Sequence, residues 1–204
     1  MNTHKLYCRY VKGILDRVFA FLLIILLSWL YIIVAIAVKI DDPSGPVIFS
    51  QDRIGKNGKV YKMFKFRSMC VGAEKMAGGV YSDRNDERVT RVGKLLRRTS
   101  IDELPQFFNI IKGDMSFIGY RSPLTYHPWR WEEYTETQKK MFDIKPGITG
   151  WAQINGRRSI DWQRRIELNL WYRDNVSFMH DMKIVFLTIG KVLSNSDNEN
   201  IKKI

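Results

Sequence analysis

Two adjacent acids, Asp102 and Glu103, are conspicuous because a strongly basic stretch surrounds them. Residues 97–114 read RRTSIDELPQFFNIIKGD, so the acids closely follow Arg97 and Arg98. Two carboxylates on one turn can hold a divalent cation through oxygen, and one of them can act as a nucleophile. Arginine offers a planar donor fork that suits phosphate. The residue types and their spacing therefore favour chemistry on a phosphate compound, with a solvated basic face as the plainer alternative.

A helix cap is a second interpretation of the same residues. Ser100 and Glu103 fit the S-x-x-E capping box, with Ser100 at the N-cap. In that register Pro105 would lie inside the helix and clash with the carbonyl of Ile101. Proline is preferred at the first helical position, which would start the helix near Leu104 and leave both acids on a turn outside it. The cap and the catalytic role do not exclude one another.

The composition predicts an anionic partner. The 204 residues include 33 Lys and Arg against 21 Asp and Glu, which gives a formal net charge of +12. Phosphates, nucleic acid or an anionic membrane face would satisfy this charge. Two cysteines without CxxC spacing and three histidines argue against a disulfide framework or a zinc site, and favour a reducing compartment. The sequence contains no P-loop motif and no D-x-D, which argues against P-loop and ordinary metal-dependent glycosyltransferase chemistry.

An apolar run near the N-terminus predicts a membrane segment. Residues 18–38 read VFAFLLIILLSWLYIIVAIAV, which is long enough to cross a bilayer core as a helix. A cleaved signal peptide is suggested by the small residues Ala35 and Ala37, but the run is longer than a normal signal core. A simple transmembrane anchor conflicts with basic residues on both flanks, since these favour the cytoplasmic side. A re-entrant helix, which leaves by the face it entered, would satisfy both ends.

Turn signals divide the rest of the chain. The segment 41–46, DDPSGP, ends the membrane segment, and Asn57-Gly58 predicts a hairpin between strands at 47–51 and 60–66. Helices are predicted over 89–98, 104–111, 132–142, 161–173 and 182–193, and loops over 70–87 and 145–158. The last helix is amphipathic, which fits either packing or an interfacial membrane position.

These elements predict an α+β, mostly helical fold with a small β-hairpin and amphipathic interfacial helices. The expected organisation is a membrane-associated helix over residues 1–40, a compact catalytic domain over 41–195 and a flexible tail over 196–204.

Three blocks of the sequence resemble the bacterial sugar transferases, the monotopic phosphoglycosyl transferases of polyprenyl-phosphate glycan assembly. The blocks are PVIFSQDRIGKNGKVYKMFKFRSM at 46–69, GKLLRRTSIDELPQFFNIIKGDMSFIG at 93–119 and KPGITGWAQINGRR at 145–158. They occur in the family's order. The resemblance implies transfer of a sugar 1-phosphate from a UDP-sugar to undecaprenyl phosphate, with release of UMP, a covalent two-step mechanism and Mg²⁺ as cofactor.

The resemblance also implies residue roles. Asp102 matches the family's nucleophile, which attacks the β-phosphorus, and Glu103 matches its partner acid, so both are expected at the metal. Further residues fall at family positions and are expected to bind substrate, the arginines at phosphate: Lys65, Arg97, Arg121, Arg157 and Asp181.

The family's setting completes the expectation. It implies a re-entrant helix in the bacterial inner membrane, a catalytic domain on the cytoplasmic face, and membrane lipids and downstream glycosyltransferases as partners, without nucleic acid. The sequence departs from the family twice. A Ser-Pro break becomes Ser28-Trp29, so we expect Ser28 to bend the helix by bonding back to the backbone. A G-P-R-P turn becomes Gly119-Tyr120-Arg121-Ser122, which keeps the arginine and loses both prolines.

Two further hypotheses come from other classes of protein. A membrane-anchored basic binding module without catalysis accounts for the charge and the apolar segment, and an inactive relative could act as a scaffold. The binding module gives no reason for Asp102 and Glu103 among arginines, since two acids would weaken the binding of a polyanion. The substitution Asp102→Asn separates the classes, because an enzyme would lose turnover and a binder would keep its affinity.

Overall fold

Two apolar helices begin the described chain and meet at a sharp bend. The computed structural model describes residues 7–76, 86–156 and 160–194. After a π-helical turn, Tyr7–Val11, helix α1 (Lys12–Leu26) and helix α2 (Ser28–Asp41) follow with an angle of 65° between them. Among the described helices none is by itself long and apolar enough to cross a bilayer, whereas this bent pair together meets the requirement of length and composition.

The bend lies at Leu27 and precedes Ser28. The backbone of Leu27 leaves the helical region (φ −99°, ψ 9°), while its N–H still donates to the carbonyl of Leu23 at 2.9 Å. Ser28 is the first residue of α2. The predicted break near Ser28 is thus present, with the irregular backbone at the preceding Leu27.

An antiparallel hairpin follows the helix pair, which confirms the prediction from Asn57-Gly58. Strand β1 (Ile48–Ile54) pairs with strand β2 (Val60–Phe66). A 3-10 turn, Lys56–Gly58, joins them, and its Asn57 and Gly58 have φ values of 54° and 77°. Asparagine and glycine tolerate this conformation best, so the local sequence fixes where the hairpin turns.

Helices α3 (Arg91–Thr99) and α4 (Gln106–Lys112) lie on either side of a short 3-10 turn, Ile101–Glu103, which we call the acid turn. The hydroxyl of Thr90 accepts a hydrogen bond from the N–H of Gly93 at 3.0 Å and thereby caps α3. Both helices lie close to their predicted positions. The acid turn is thus held between two helix ends.

The buried core joins the N-terminal helices to the elements around the acid turn. One apolar cluster brings α1, β2 and α4 together through Ala20, Met63, Phe107 and Ile110. Another brings α2, β2 and α3 together through Val34, Phe66 and Leu96. Burial of these side chains fixes the bent helix pair against the hairpin, so the apolar helices and the acid turn share one packed framework.

Residues 132–142 differ from the single surface helix that the sequence predicts. They form three short pieces: Trp131–Glu133, α5 (Glu136–Lys139) and Lys140–Asp143. The ring of Phe142 is fully buried and packs edge-on against Tyr120 and Tyr134. These tertiary contacts override the local helical preference, because a continuous surface helix would not insert this ring into the core.

Residues 145–158, predicted as a loop, contain strand β4 (Gly147–Thr149) and helix α6 (Trp151–Ile154). Strand β4 pairs in parallel with strand β3 (Ser116–Ile118). The glycines of this segment allow close backbone approach, since a Cβ added at Gly150 would lie 1.8 Å from the carbonyl oxygen of Gly119. The prediction of a loop is wrong for these two elements, because the glycines let the backbone of this segment pack closely against the segment around β3.

Helices α7 (Trp162–Asp174) and α8 (Phe178–Ser194) complete the described chain. Helix α8 begins before the predicted start at residue 182, so Asp181 lies in its first turn. Several large apolar side chains of α8 are exposed: Phe178, Met179, Phe186, Leu187, Ile189 and Val192. The predicted α+β, mostly helical fold with one small hairpin is confirmed. The predicted loop 70–87 falls partly outside the described residues, and the tail 196–204 lies entirely outside them.

Candidate active site

The acid turn places two carboxylates at the junction of α3 and α4. Ser100 adopts a left-handed conformation (φ 58°) and its side chain makes no capping hydrogen bond, so the capping box is not formed. Pro105 immediately precedes Gln106, the first residue of α4. The prediction that the helix starts near Pro105 and leaves both acids outside it is confirmed. Asp102 and Glu103 lie on a turn before α4.

Lys65 of strand β2 reaches both acids. Its Nζ lies 2.7 Å from Oε1 of Glu103 and 4.0 Å from Oδ2 of Asp102. The Nη1 atom of Arg121 lies 3.9 Å from the same Glu103 oxygen, and the Arg121 side chain is 55% exposed. Strand β2, the acid turn and the segment after β3 therefore converge on one charged cluster, made of Lys65, Asp102, Glu103 and Arg121.

Burial controls the ionisation of Asp102. The residue is only 7% exposed, and its removal from water raises the pKa of its carboxyl group above that of an ordinary aspartate. Lys65 gives the largest opposing effect on this pKa, and the negative charge of Glu103 adds to the rise. A carboxyl group whose pKa is perturbed both by burial and by specific charged neighbours is a candidate catalytic group.

Arg97 contributes to the same electrostatic environment. Its positive charge lowers the pKa of Asp102, in opposition to burial. One of its guanidinium nitrogens, Nη1, is buried and has no hydrogen-bond partner. Leaving a buried donor unsatisfied is unfavourable, and a phosphate oxygen is an acceptor that would satisfy it.

Asn109 fixes the strand that carries Lys65, and the sequence analysis missed it. Its side chain is fully buried, with Nδ2 donating to the carbonyl of Lys62 at 2.7 Å and Oδ1 accepting from the N–H of Phe64 at 3.0 Å. These bonds tie β2 to α4 one residue before Lys65. The available signal was a single polar residue inside the apolar stretch FFNII.

Arg53 is a second residue that the sequence analysis missed. It lines a narrow cleft together with Gln106, Arg121 and Ser122. Its Nη1 donates to the carbonyl of Ser122 at 2.9 Å, and its Nη2 donates to Oε1 of Gln51 at 2.6 Å. The hairpin register that Asn57-Gly58 predicts could have indicated it, since Arg53 lies opposite the buried Tyr61.

The structure does not place Asp181 in the charged cluster. The Oδ2 atom of its buried carboxylate accepts hydrogen bonds from Lys12 Nζ at 2.5 Å and from Tyr7 Oη at 2.7 Å. The Oδ1 atom accepts a hydrogen bond from Tyr172 Oη at 2.5 Å. These contacts join the start of α1 to α7 and α8. Arg157, the other residue expected at phosphate, lies outside the described residues.

The two acids Asp102 and Glu103, which we call the acid pair, also define where a divalent metal fits. Within the described ranges no three His, Cys, Asp or Glu side chains gather as a ready-made metal site. Mg²⁺ is commonly held by one or two carboxylates, with substrate phosphates and water as its other ligands. Asp102 and Glu103 supply two adjacent carboxylates, so this donor set fits that mode of binding.

Comparison with known sequences identifies the family of the chain. Residues 7–195 match the family model described as bacterial sugar transferase. The protein belongs to the bacterial sugar transferase family. The charged cluster lies inside the matched region.

Three relatives illustrate the range of the family. The uncharacterized sugar transferase EpsL of Bacillus subtilis is 46% identical over 165 residues, which cover 80% of this chain and 77% of EpsL. The UDP-glucose:undecaprenyl-phosphate glucose-1-phosphate transferase of Escherichia coli is 44% identical over 192 residues, 92% of this chain and 41% of the relative. The UDP-N-acetylgalactosamine-undecaprenyl-phosphate N-acetylgalactosaminephosphotransferase of Aeromonas hydrophila is 38% identical over 188 residues, 91% of this chain and 44% of the relative. This chain therefore spans less than half the length of the two relatives named for an activity.

Proposed function

We propose that this bacterial sugar transferase moves a sugar 1-phosphate from a UDP-sugar to undecaprenyl phosphate and releases UMP, as the first membrane step of glycan assembly. The observation that carries the proposal is the charged cluster, in which the buried Asp102 lies beside a second acid, a lysine and an arginine. Two relatives are named for this kind of transfer, one with UDP-glucose and one with UDP-N-acetylgalactosamine. Because those names differ in the sugar, the proposal specifies a UDP-sugar without choosing among them.

The transfer proceeds through a covalent intermediate on Asp102. A carboxylate oxygen of Asp102 attacks the β-phosphorus of the donor, and the bond from that phosphorus to the bridging oxygen breaks, so that UMP leaves with the electron pair. A phosphate oxygen of undecaprenyl phosphate then attacks the same phosphorus. The bond to Asp102 breaks, which restores the carboxylate and gives undecaprenyl diphosphate sugar, the lipid-linked product that downstream glycosyltransferases would extend.

The neighbouring side chains make this attack electrostatically feasible. A carboxylate and a diphosphate repel one another unless nearby positive charge offsets both. Lys65 and Arg121 already contact Glu103, and Arg97 acts on Asp102. These three cations orient the diphosphate and stabilise the charge that builds up on the leaving phosphate.

Asp102 and Glu103 would hold Mg²⁺ when the donor is bound. The bound ion supplies positive charge that reduces repulsion at the diphosphate. Because Lys65 is paired with Glu103 in this structure, Lys65 balances the acid pair in the absence of the metal.

The bent helix pair supports a re-entrant membrane position on the cytoplasmic side of the inner membrane. Many large apolar side chains of α1 and α2 are more than half exposed, among them Phe21, Leu22, Ile25, Leu26, Trp29, Ile32, Ile33 and Ile36. Basic residues flank both ends of the pair, as expected when both ends stay in the cytoplasm. A cysteine introduced at Ser44, just after α2, should resist an impermeant thiol reagent in intact cells, and labelling there would contradict this topology.

The activity is tested by measuring UMP release in nanodiscs with undecaprenyl phosphate, Mg²⁺ and a panel of UDP-sugars. Wild-type protein should release UMP with at least one donor, and EDTA should abolish the release. Asp102→Asn should release none while remaining folded. A phosphorylated sugar trapped on the wild-type protein in the absence of acceptor would demonstrate the covalent step.

Three other outcomes would each contradict a part of this proposal: the transferase activity, the nucleophile or the metal requirement. If folded wild-type protein releases no UMP from any donor, the transferase proposal fails and a scaffold or binding role takes its place. If Asp102→Asn keeps full turnover, the nucleophile is another residue. If EDTA leaves the rate unchanged, the proposed metal requirement is wrong.

A further inference from the structure

Arg53 carries a positive charge for which the described residues provide no carboxylate within ion-pair distance. Its hydrogen bonds go to two neutral oxygens, the carbonyl of Ser122 and Oε1 of Gln51. Its Nε is buried and has no hydrogen-bond partner.

A partly buried arginine without a carboxylate in ion-pair contact is unfavourable for the folded protein. Burial and the nearby charge of Arg121 lower the pKa of Arg53 to about 10, so the side chain still carries its charge at neutral pH. Removing an ion from water is unfavourable unless a partner compensates it. An apolar residue would fill the same space without that cost, which indicates that the charge serves a ligand.

The position of Arg53 indicates which ligand. Its cleft is shared with Arg121 of the charged cluster and with Gln106, which begins α4 three residues after the end of the acid turn. Four cationic side chains, Arg53, Lys65, Arg97 and Arg121, act on this region, against the two carboxylates of Asp102 and Glu103. The cations in this group outnumber the carboxylates, so the region favours an anionic group such as a diphosphate.

We propose that Arg53 provides the positive charge that binds a phosphate group at the mouth of this cleft, and that the group belongs to the diphosphate of the nucleotide-sugar donor. This rests on the proposed function, since it names a further residue for the donor. Undecaprenyl phosphate also carries phosphate, but none of the described residues that line the cleft belongs to α1 or α2, the apolar helices at the membrane. We therefore assign the phosphate to the donor, and the test below separates the two sources.

The test compares Arg53→Met, which removes the charge and keeps much of the volume, with Arg53→Lys, which keeps the charge. Binding of UDP is measured by calorimetry on the detergent-solubilised or nanodisc protein, without any turnover. We expect Arg53→Met to bind UDP roughly 10- to 100-fold more weakly, as for the loss of a charge-assisted contact, and Arg53→Lys to recover part of the affinity. Arg164→Met, on the exposed face of α7 and paired with Glu167, is the matched control and should bind like wild type.

Several outcomes would overturn the proposal. If Arg53→Met lowers the melting temperature but binds UDP like wild type, Arg53 is a structural residue that holds Ser122 and Gln51. If UDP binding is unchanged but the KM for undecaprenyl phosphate rises, the phosphate belongs to the lipid. Failure of wild-type protein to bind UDP also overturns it. Wild-type binding of UDP without UMP release would instead reject the proposed activity and leave the role of Arg53 intact.

Discussion

Lys65 and Glu103, which are 38 residues apart in sequence, form an ion pair with 2.7 Å between Nζ and Oε1. The pair joins the end of the hairpin to the acid turn. Both side chains are about one-fifth exposed, so the interaction is partly shielded from water. The lysine therefore sits where it can neutralise the acid pair in the free protein and a phosphate in the complex.

The substitution Lys65→Met should reduce turnover strongly. Removal of one preorganised cation from a site of developing negative charge typically costs about 10²- to 10³-fold in kcat, and we expect a loss of that size. The measurement is UMP release at saturating UDP-sugar.

The same strand offers a control for Lys65. Lys62 is exposed and pairs with Asp52 at 3.3 Å, so Lys62→Met should keep near wild-type turnover. An equal loss in both variants would show that the effect comes from general damage to the hairpin and not from the charge at Lys65.

Asp102→Asn should leave the protein at least as stable as wild type, although it abolishes turnover. The carboxylate of Asp102 is poorly solvated, and its closest cation lies 4.0 Å away, so the neutral amide relieves part of the burial penalty.

Glu103→Gln should instead lower the free energy of unfolding by about 1 kcal/mol, because it breaks the 2.7 Å pair with Lys65. Thermal or urea unfolding in the absence of Mg²⁺ measures both changes. A clear loss of stability in Asp102→Asn would contradict the proposed ground-state cost of this buried acid.

Asp181→Asn should destabilise the protein without changing the affinity for UDP. The substitution leaves the Lys12 ammonium, whose side chain is only 13% exposed, without its carboxylate. Removing one partner of such a pair costs about 3–5 kcal/mol. Tyr7→Phe removes one hydrogen bond to the same carboxylate and should cost about 1 kcal/mol. If Asp181→Asn stays stable but binds UDP weakly, Asp181 contacts substrate, as the family resemblance implies.

Asn109→Ala should lower both stability and turnover. It leaves the carbonyl of Lys62 and the N–H of Phe64 without their side-chain partner, for which we expect a loss of about 2–3 kcal/mol. Strand β2 would then hold Lys65 less firmly, so kcat should fall even in the folded protein. Asn175→Ala is the control, since the Asn175 side chain donates to the nearby carbonyl of Trp171 at the end of α7, away from the charged cluster. Normal kcat in folded Asn109→Ala would show that Lys65 is positioned without Asn109.

Local features of the sequence were enough to predict several elements. The hairpin follows from Asn57-Gly58, because positive φ values at two successive residues suit these two residue types. The placement of the acids outside helix α4 follows from Pro105, because proline lacks the N–H that a helix interior requires. The apolar run of residues 18–38 predicts helix by its composition. In each case the deciding interaction lies within a few residues of the signal.

Other elements depended on partners far away in the chain. The strand Gly147–Thr149 exists because it pairs with Ser116–Ile118, and no short-range pattern identifies such a partner. The helix predicted over 132–142 is interrupted because Phe142 packs against Tyr120 and Tyr134, which the local charge pattern does not reveal. Long-range packing thus decided these segments against their local preferences.

The candidate site also has features that the local sequence predicts and features that depend on long-range packing. By itself, the sequence determined that two acids lie on a turn among basic residues and, through its resemblance, which family they belong to. Only the tertiary structure decided which cations lie near these acids. Lys65 and Arg121 reach Glu103, and Arg53 lines the cleft beside them. Asp181 lies in a separate buried cluster. The physical reason is that a charge acts through distance and burial, and both are set by how remote segments pack together.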